Sequence, residues 1–316
     1  MSQPHVVTRA NVEAAHMMIA PHVRRTPVID IAPRDLGLPN KLPPVVFKLE
    51  HLQHSGSFKA RGALNSVLTS SVPKAGVTAA SGGNHGAALA FAARKAGVPC
   101  TIFVFDFTPA AKIERIRSYG AEVHSVEGGF DALMAKAQAF SEESGALSVH
   151  AFDAPGTLAG QGTVALEFME QAEPDTILVA TGGGGLIGGI AAYVETRARV
   201  ISIEPEAAPT LHSALAAGQP VQAPAGGIAA DSLGPGQVGS LMYPIADEFV
   251  HEALLVPDVA IRDAWQILWD QMRTVVEPGG ATALAALLSG AYRPEPDERV
   301  GVVLCGANTN VVSFPD

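Results

Sequence analysis

The chain has 316 residues, of which 47% are hydrophobic and 16% are charged, and it contains 32 glycines and 23 prolines. This composition excludes a disordered segment, a coiled coil or a small disulfide-stapled domain, because the apolar fraction is high and Gly and Pro are spread throughout. The formal net charge is −10. An acidic chain without basic runs lacks the cations that nucleic-acid phosphates require, so nucleic acid is excluded as the main partner.

The cysteines and the N-terminal segment indicate the cellular setting. Cys100 and Cys305 cannot form a disulfide framework, and the chain has no CxxC pair and no HExxH motif. The N-terminus has polar and charged residues at short intervals, which argues against a secretory signal. The uncharged stretch from Ile177 to Val194 is interrupted by glycines, which suit a strand, a loop and a helix better than a membrane span. We therefore expect a cytoplasmic protein with no membrane partner.

Short β-branched runs alternate with Ala-rich helical patterns along the chain. The predicted strands are Val45–Leu49, Val77–Ala80, Thr101–Phe105, Glu122–Val126, Thr176–Ala180, Val200–Glu204 and Val300–Leu304. The predicted helices are Lys59–Leu68, Asn84–Ala96, Pro109–Tyr119, Phe130–Ser144, Gly160–Ala172, Leu186–Thr196 and Ile261–Val275. This alternation predicts an α/β fold with parallel sheet covered on both faces. Three strands and three helices within residues 74–151 indicate a small domain, and residues 1–73 and 152–316 would form a larger one.

A glycine-rich loop follows one of the predicted strands. Its residues are Gly182, Gly183, Gly184 and Gly185, and Leu186 then opens a predicted helix. Glycines let backbone N–H groups turn toward one point, and the start of a helix adds its dipole and its unpaired amides. Four glycines exceed what a tight turn needs. The loop therefore predicts a phosphate site that needs no charged side chain.

The same loop permits a different ligand. Gly183, Gly185 and Gly188 satisfy the G-x-G-x-x-G pattern, and the next strand ends at Glu204, near the spacing of a ribose-binding carboxylate. A dinucleotide-binding oxidoreductase is therefore an alternative of a different class. However, a single G-x-G-x-x-G is weak evidence, and no hydride-transfer machinery is evident elsewhere.

A lysine at a predicted helix start is the second feature. It lies in the segment S-G-S-F-K-A-R-G, residues 55–62, in which Ser57 is predicted to cap the helix that begins at Lys59. At a positive helix end, next to Phe58 and close to Arg61, this lysine is biased toward the neutral amine that forms Schiff bases. For a single lysine considered alone, a solvated surface position is the usual explanation.

Four motifs in a fixed order change that assessment. They are S-F-K-x-R-G around Lys59, S-G-G-N-H-G at residues 81–86, the tetraglycine loop, and C-G-A-N at residues 305–308. In the order and spacing of these motifs, the chain resembles the pyridoxal 5′-phosphate (PLP) enzymes of fold type II. It closely resembles the threonine/serine dehydratase and serine racemase branch of that family. The resemblance covers residues 26–308 and includes V-E-P at residues 276–278. It implies two parallel-sheet α/β domains with PLP in the cleft between them.

The resemblance implies roles for the cofactor-binding residues. Lys59 would carry the cofactor covalently and then act as the base at the substrate Cα. Phe58 would pack beside the cofactor ring, and Asn84 would bond its 3′-oxygen. Gly182 to Gly185, with Leu186, would hold the phosphate. Cys305 would face the pyridine nitrogen, where a neutral thiol leaves the ring a weaker electron sink and so suits β-elimination.

The loop before the second helix would bind the substrate carboxylate at a helix N-terminus. The predicted substrate-binding residues are Ser81, Gly82, Asn84 and His85. Racemases of this family carry a second serine in this loop, which acts as a base on the opposite face of the ring, but this chain has Gly82. Glycine offers no proton to exchange, which favours a dehydratase over a racemase. We therefore expect Gly82→Ser to raise formation of the D-isomer.

The cation site of some relatives is incomplete in this chain. That site resembles Glu204 plus a second acid six residues later, where this chain has Thr210. One carboxylate and one hydroxyl make a poor Mg²⁺ or Ca²⁺ site, so no metal is predicted.

The features together predict a PLP-dependent dehydratase. Such an ammonia-lyase converts a β-hydroxy amino acid, such as L-threonine or L-serine, to a 2-oxo acid and ammonia by α,β-elimination. A serine or amino-acid racemase of the same fold is the first alternative, and a phosphate-binding protein without catalysis is the non-enzyme alternative. A β-replacement synthase of the cysteine synthase type usually carries a T-S-G-N-T loop, which is absent. We also expect a homodimer.

Overall fold

A computed structural model describes residues 5–39 and 42–309, and the statements below concern these residues. The strands are β1 (Val28–Ile31), β2 (Val45–Lys48), β3 (Val77–Ala80), β4 (Cys100–Phe105), β5 (Glu122–Val126), β6 (Leu147–Ser148), β7 (Thr176–Ala180), β8 (Arg199–Pro205), β9 (Val250–Val256) and β10 (Val300–Val303). The helices are α1 (Arg9–Ile19), α2 (Lys59–Leu68), α3 (Asn84–Ala96), α4 (Ala110–Ser118), α5 (Phe130–Ser144), α6 (Pro155–Ala172), α7 (Gly185–Val194), α8 (Thr210–Ala217), α9 (Ala230–Leu233), α10 (Tyr243–Phe249), α11 (Asp258–Met272) and α12 (Pro278–Ser289).

The larger sheet has the strand order β1-β2-β10-β7-β8-β9. Its strands are parallel except β1, which pairs antiparallel with β2. Every residue of β2, β7 and β10 is buried, as continuous apolar strands covered by helices on both faces should be. Helix α6 packs against α7 and α1, and α12 packs against α11 and the sheet. The predicted parallel α/β architecture is confirmed.

The smaller sheet has the order β5-β4-β3-β6, and all its strands are parallel. Its strands lie between Val77 and Ser148, within the range predicted for the small domain. We expected three strands in this range, and the structure has four. The additional strand, β6, has only two residues, which is too short for an apolar pattern to reveal.

Helix α2 connects the two halves of the molecule. Its buried residues Ala60, Ala63 and Leu64 belong to the apolar core beneath the smaller sheet, and the helix also packs against α6. Because α2 begins at Lys59, this packing holds the lysine between the two sheets.

A buried ion cluster fixes the other face of α2. The guanidinium of Arg61 donates to both oxygens of Glu50 and to both oxygens of Glu167, at 2.8 Å for each pair. Lys48 Nζ donates to Glu167 Oε2, also at 2.8 Å. All four side chains are at most 2% exposed. The two cations and the two carboxylates balance each other in charge. Removal of any one of the four would leave a buried charge uncompensated.

The predicted boundaries of α2, α3, α5, β3, β5 and β7 match the observed ones. The predicted helix at Gly160 in fact starts at Pro155, because proline is well suited to the first turn of a helix. No helix within the described ranges is both long and apolar enough to cross a membrane.

Candidate active site

One pocket brings together residues from distant parts of the chain. It is lined by Phe58, Lys59, Asn84, Phe152, Ala180, Thr181, Gly182, Gly183, Gly184, Gly185, Leu186, Ile187, Ser232, Leu233, Pro235, Glu277 and Cys305. Every residue that was predicted to bind the cofactor is in this lining. Of the predicted substrate-binding residues, Asn84 lines the pocket, whereas Ser81, Gly82 and His85 are not among the lining residues.

Lys59 is the first residue of α2 and reaches into the pocket. Its Nζ donates a 2.8 Å hydrogen bond to the carbonyl of Ala151 and lies 5.2 Å from the centre of the Phe58 ring. Burial lowers the pKa of Lys59 to about 8, although the nearby groups of Cys305 and Glu277 partly oppose this. The predicted bias toward the neutral amine is confirmed in direction, with burial as its main cause.

The predicted cap of α2 is wrong. The residue that precedes the first helical residue is Phe58, and no side chain caps this helix end. The Ser57 hydroxyl is buried and has no partner within the described ranges. Ser57 instead has an extended backbone and forms an isolated antiparallel β-bridge with Gly306, which joins the lysine segment to the C-terminal motif.

The glycine loop, Gly182–Gly185, joins β7 to α7 and presents unpaired amides. Gly184 has a φ of +84°, a conformation that glycine adopts without strain, and α7 starts at the next residue. In the part of the chain that the structure describes, the N–H groups of Gly183, Gly184, Gly185 and Leu186 donate to no protein acceptor. Unpaired amides at a helix N-terminus attract an anion, so the loop can hold a phosphate.

Two side chains pack tightly against the glycine loop. A Cβ atom on Gly183 would come within 2.5 Å of the Phe152 ring, and one on Gly185 would come within 2.7 Å of Phe152 Cβ. A Cβ atom on Gly184 would meet Met242 Cε at 2.5 Å. The glycines are therefore required for close packing as well as for the exposure of their amides.

Asn84 and Glu277 form a polar pair on the wall of the pocket. Asn84 Nδ2 donates a 2.6 Å hydrogen bond to Glu277 Oε1. Asn84 Oδ1 is buried and has no partner among the described residues. Burial raises the pKa of Glu277 to about 7, and the bond from Asn84 opposes that increase. Glu277 belongs to the V-E-P motif but was not predicted as a site residue, because a lone glutamate has no spacing pattern to mark it.

Cys305 follows β10, which pairs with β7, the strand that leads into the glycine loop. Its thiol donates to the carbonyl of Gly279 at 3.5 Å, and burial raises its pKa, so the thiol is neutral. The carbonyl of Cys305 accepts from the N–H of Phe58 at 3.1 Å. The C-terminal motif is thereby attached directly to the lysine segment.

The loop that opens α3 lies beside the pocket. Ser81 N–H donates to the carbonyl of Phe103 at 2.9 Å, which anchors the loop to the smaller sheet. His85 is buried, and its Nε2 lies 2.8 Å from the carbonyl of Val149. Burial lowers the pKa of His85 to about 3, so the imidazole is neutral. The His85 side chain is thus bonded to the residue that follows β6. If His85 contacts the substrate, the contact is made by its backbone.

Phe152 lines the pocket although no sequence motif predicted it. His150 Nδ1 accepts from the N–H groups of Phe152 and Asp153, at 3.2 and 2.8 Å. The Asp153 carboxylate in turn accepts from the N–H and hydroxyl of Ser240 and from the N–H of Leu241. These bonds fix the segment between β6 and α6 against the loop before α10. Ser232, Leu233 and Pro235 are further lining residues that the sequence did not reveal.

Glu204 occupies the position of the possible cation site, and protein donors surround it. Its Oε1 accepts from Leu211 N–H at 2.7 Å and lies 3.1 Å from Thr210 Oγ1, whose single proton is donated to the Gly182 carbonyl at 2.7 Å. Its Oε2 accepts from His212 N–H at 2.8 Å and from Ser202 Oγ at 3.3 Å. A cation would have to displace these donors, so the residues present do not fit a metal ion. The described ranges contain no cluster of three or more His, Cys, Asp or Glu side chains that could hold a metal.

Comparison with known proteins identifies the family. Residues 19–306 match the family described as "Pyridoxal-phosphate dependent enzyme". The chain belongs to this family. The predicted cofactor, PLP, is therefore confirmed, and so is the resemblance stated above.

Similar proteins carry both lyase and racemase names. The L-threonine ammonia-lyase of Geobacter sulfurreducens is 42% identical over 276 residues, which span 85% of this chain and 68% of that protein. The phenylserine dehydratase of Ralstonia pickettii is 38% identical over 298 residues, 92% of this chain and 90% of that protein. The structure of maize serine racemase superposes with a TM-score of 0.90 at 32% identity, covering 97% of this chain and 95% of the other. The fold is that of a fold type II PLP enzyme.

The lining residues fit PLP. The unpaired amides of the glycine loop suit its phosphate, and the amine of Lys59 suits its aldehyde carbon. Asn84 Oδ1, which is buried without a partner, leaves room for a hydrogen bond from a ligand. The neutral thiol of Cys305 suits an uncharged ring nitrogen. When bound, PLP would supply the electron sink that makes the Cα proton of an amino acid acidic.

Proposed function

We propose that this PLP-dependent enzyme is a dehydratase that eliminates water from a β-hydroxy amino acid such as L-serine or L-threonine, to give a 2-oxo acid and ammonia. The observation that carries the proposal is an asymmetry between Lys59, which lines the pocket, and position 82, which lies in the loop beside the pocket. Lys59 places an amine in the pocket, whereas position 82, where racemases of this family carry a second base, has no side chain. Elimination needs a base on one face of Cα only.

The residues of the pocket would divide the work as follows. Lys59, with its pKa lowered to about 8, has a much larger neutral fraction near physiological pH than an exposed lysine, and the neutral amine can accept the Cα proton. The amides of the glycine loop hold the phosphate. Asn84 and Cys305 orient the ring, and Phe58 packs beside it. The backbone of the loop from Ser81 to His85 holds the substrate carboxylate at the N-terminus of α3.

Two further parts of the proposal concern organisation. The four strands of the smaller sheet lie within residues 74–151, which supports a small domain over that range and a large domain from residues 1–73 and 152–316. We also propose that the enzyme is a cytoplasmic homodimer. Light scattering during size-exclusion chromatography would test the dimer, and a mass of a single chain would contradict it.

A racemase of the same fold is the second candidate, since maize serine racemase is among the similar structures. Racemisation requires proton delivery to the face of Cα opposite Lys59. Water could deliver that proton, but a positioned acid contributes about 10²–10⁴-fold, which water would mostly forfeit.

The deciding experiment measures both products of one reaction. The holoenzyme is incubated with L-serine or L-threonine, 2-oxo acid and ammonia are assayed, and the remaining amino acid is resolved by chiral chromatography. We expect 2-oxo acid with almost no D-isomer, a ratio of roughly 10² or more. Formation of D-isomer as fast as 2-oxo acid would establish the racemase instead. A panel that includes phenylserine and 3-hydroxyaspartate would then define the side chain that the pocket accepts.

A further inference from the structure

Thr108 packs directly against Gly82, in the loop that opens α3. A Cβ atom on Gly82 would come within 2.8 Å of Thr108 Cγ2, 2.9 Å of Thr108 Oγ1 and 3.4 Å of Thr108 Cβ. Carbon atoms in favourable contact lie about 3.5–4.0 Å apart. The φ of Gly82 is not positive, so the backbone there would accept another residue. Thr108, and not the backbone conformation, is what keeps position 82 a glycine.

Rotation of the Thr108 side chain does not relieve this crowding. Two of the three substituents on its Cβ face position 82, so every staggered rotamer leaves at least one heavy atom there. The backbone is also constrained. Thr108 N–H donates to the carbonyl of Phe105 at 3.0 Å, and Pro109 restricts the residue before it.

The loop with Gly82 is anchored on one side and contacts another segment on the other. Ser81 is anchored to β4 through its N–H, and on the other side the Cβ position of Gly83 lies 3.8 Å from the carbonyl of Asp231. Within residues 5–39 and 42–309 the Thr108 hydroxyl makes no hydrogen bond, although the side chain is half-buried. The contribution of Thr108 here is therefore its volume.

We propose that Thr108 is a specificity-determining residue. Its side chain fills the space beside position 82, which excludes a hydroxyl-bearing residue from that position and so keeps the enzyme an eliminating enzyme. This inference rests on the proposed function. It also changes the expectation for Gly82→Ser, because that substitution alone places a side chain where Thr108 already lies.

A double-mutant cycle on the holoenzyme tests the coupling. The variants are Gly82→Ser, Thr108→Ala and their combination, and the matched control is Gly82→Ser with Thr108→Val, which keeps the branched shape and removes the hydroxyl. We expect Gly82→Ser to lower the melting temperature by roughly 2–8 °C. Thr108→Ala should restore at least half of that loss, and Thr108→Val should restore little. An equal loss from Gly82→Ser with and without Thr108→Ala would overturn the proposal.

The second readout is the fate of L-serine. We expect the combination of Gly82→Ser with Thr108→Ala to form D-serine at least about tenfold faster than Gly82→Ser alone or the Thr108→Val control, because only there can the new hydroxyl be seated. Equal D-serine formation in all three would contradict this. If Gly82→Ser does not fold, Gly82→Ala replaces it in the same thermal cycle. If the wild-type enzyme forms no 2-oxo acid, the proposed dehydratase function is refuted. The coupling between positions 82 and 108 is still decided by the melting temperatures of the double-mutant cycle.

Discussion

Asn84 Nδ2 and Glu277 Oε1 are 2.6 Å apart, and through this bond a residue at the start of α3 contacts one that immediately precedes α12. Helix α3 packs on the smaller sheet and α12 on the larger one. The pair thus bridges the two sheets at the wall of the pocket. Because Glu277 is buried, with its pKa raised to about 7, the bridge includes a carboxyl that changes its charge near neutral pH.

Glu277 should make the stability of the ligand-free protein depend on pH. Its folded-state pKa is about 7 against an ordinary 4.5, so the native state binds the proton more tightly than the unfolded chain does. The stability of the wild type relative to Glu277→Gln should therefore fall as pH rises from about 4.5 to 7, by roughly 1–3 kcal/mol, and then level off. Urea unfolding at a series of pH values measures this difference.

The control for Glu277 is an exposed carboxylate on α5. Glu143→Gln removes one negative charge at the surface and should leave the pH profile parallel to that of the wild type. A Glu277→Gln profile that is also parallel to the wild type would show that the pKa of the Glu277 carboxyl is the same in the folded and unfolded states.

Replacement of Lys59 should remove cofactor attachment and turnover together. Among the described residues that line the pocket, Lys59 is the one lysine. We expect Lys59→Ala to lose the absorption band of the lysine-bound cofactor, at about 410 nm, and to form no 2-oxo acid. The exposed Lys74→Ala should retain both. Borohydride-reducible yellow protein in the Lys59→Ala variant would assign the attachment to another residue.

Chelation should have little effect on the reaction. The Glu204 carboxylate already accepts three protein hydrogen bonds, so a divalent cation would have to break them. We expect EDTA to lower activity by less than tenfold, which is under about 1.4 kcal/mol of transition-state stabilisation. The control is EDTA that has been saturated with Mg²⁺ beforehand. Complete loss of activity, restored by Mg²⁺, would reveal a cation site formed by other ligands.

Arg61 should be among the most sensitive positions for stability. Arg61→Met leaves the carboxylates of Glu50 and Glu167 buried with one cation fewer, which costs about 3–5 kcal/mol when one member of a buried ion group is removed. The urea midpoint should fall accordingly. The same substitution at Arg25, whose ion pair with Glu170 leaves both side chains 51% exposed, should cost no more than about 1 kcal/mol. Similar costs at the two positions would mean that the buried cluster readjusts.

The regular elements of the fold were largely predictable, and the exceptions have physical causes. Helices α2 and α3 show Ala-rich patterns bounded by glycine or polar segments, and their predicted ends are correct. Helices α1, α8, α9, α10 and α12 were not predicted, and strands β1 and β9 were also missed. Strand β1 is a half-buried edge strand of four residues, and β9 is half-buried with exposed residues among its first three. Neither strand has the continuous apolar run that marks the central strands.

The residues of the site likewise fall into two groups: those that a local sequence pattern reveals and those that only tertiary contacts bring to the pocket. Lys59, Asn84 and the glycine loop lie at helix starts, where the type and spacing of residues reflect local chemistry. Ser232 lies in α9, a helix of four residues that is too short for a sequence pattern to reveal. Phe152 reaches the pocket because its loop is fixed by tertiary bonds, such as those that the Asp153 carboxylate accepts. The cap expected at Ser57 failed for the same reason, since pairing with Gly306 outweighs a local preference.

The close packing around the glycine loop has a practical consequence. Phe152 and Met242 lie against the loop through contacts that involve no ligand. A loop that already has its binding shape loses little conformational entropy when an anion binds, whether that anion is free or part of a larger molecule. Inorganic phosphate should therefore compete with PLP for the same amides, and reconstitution of the cofactor-free enzyme should proceed faster in a buffer without phosphate.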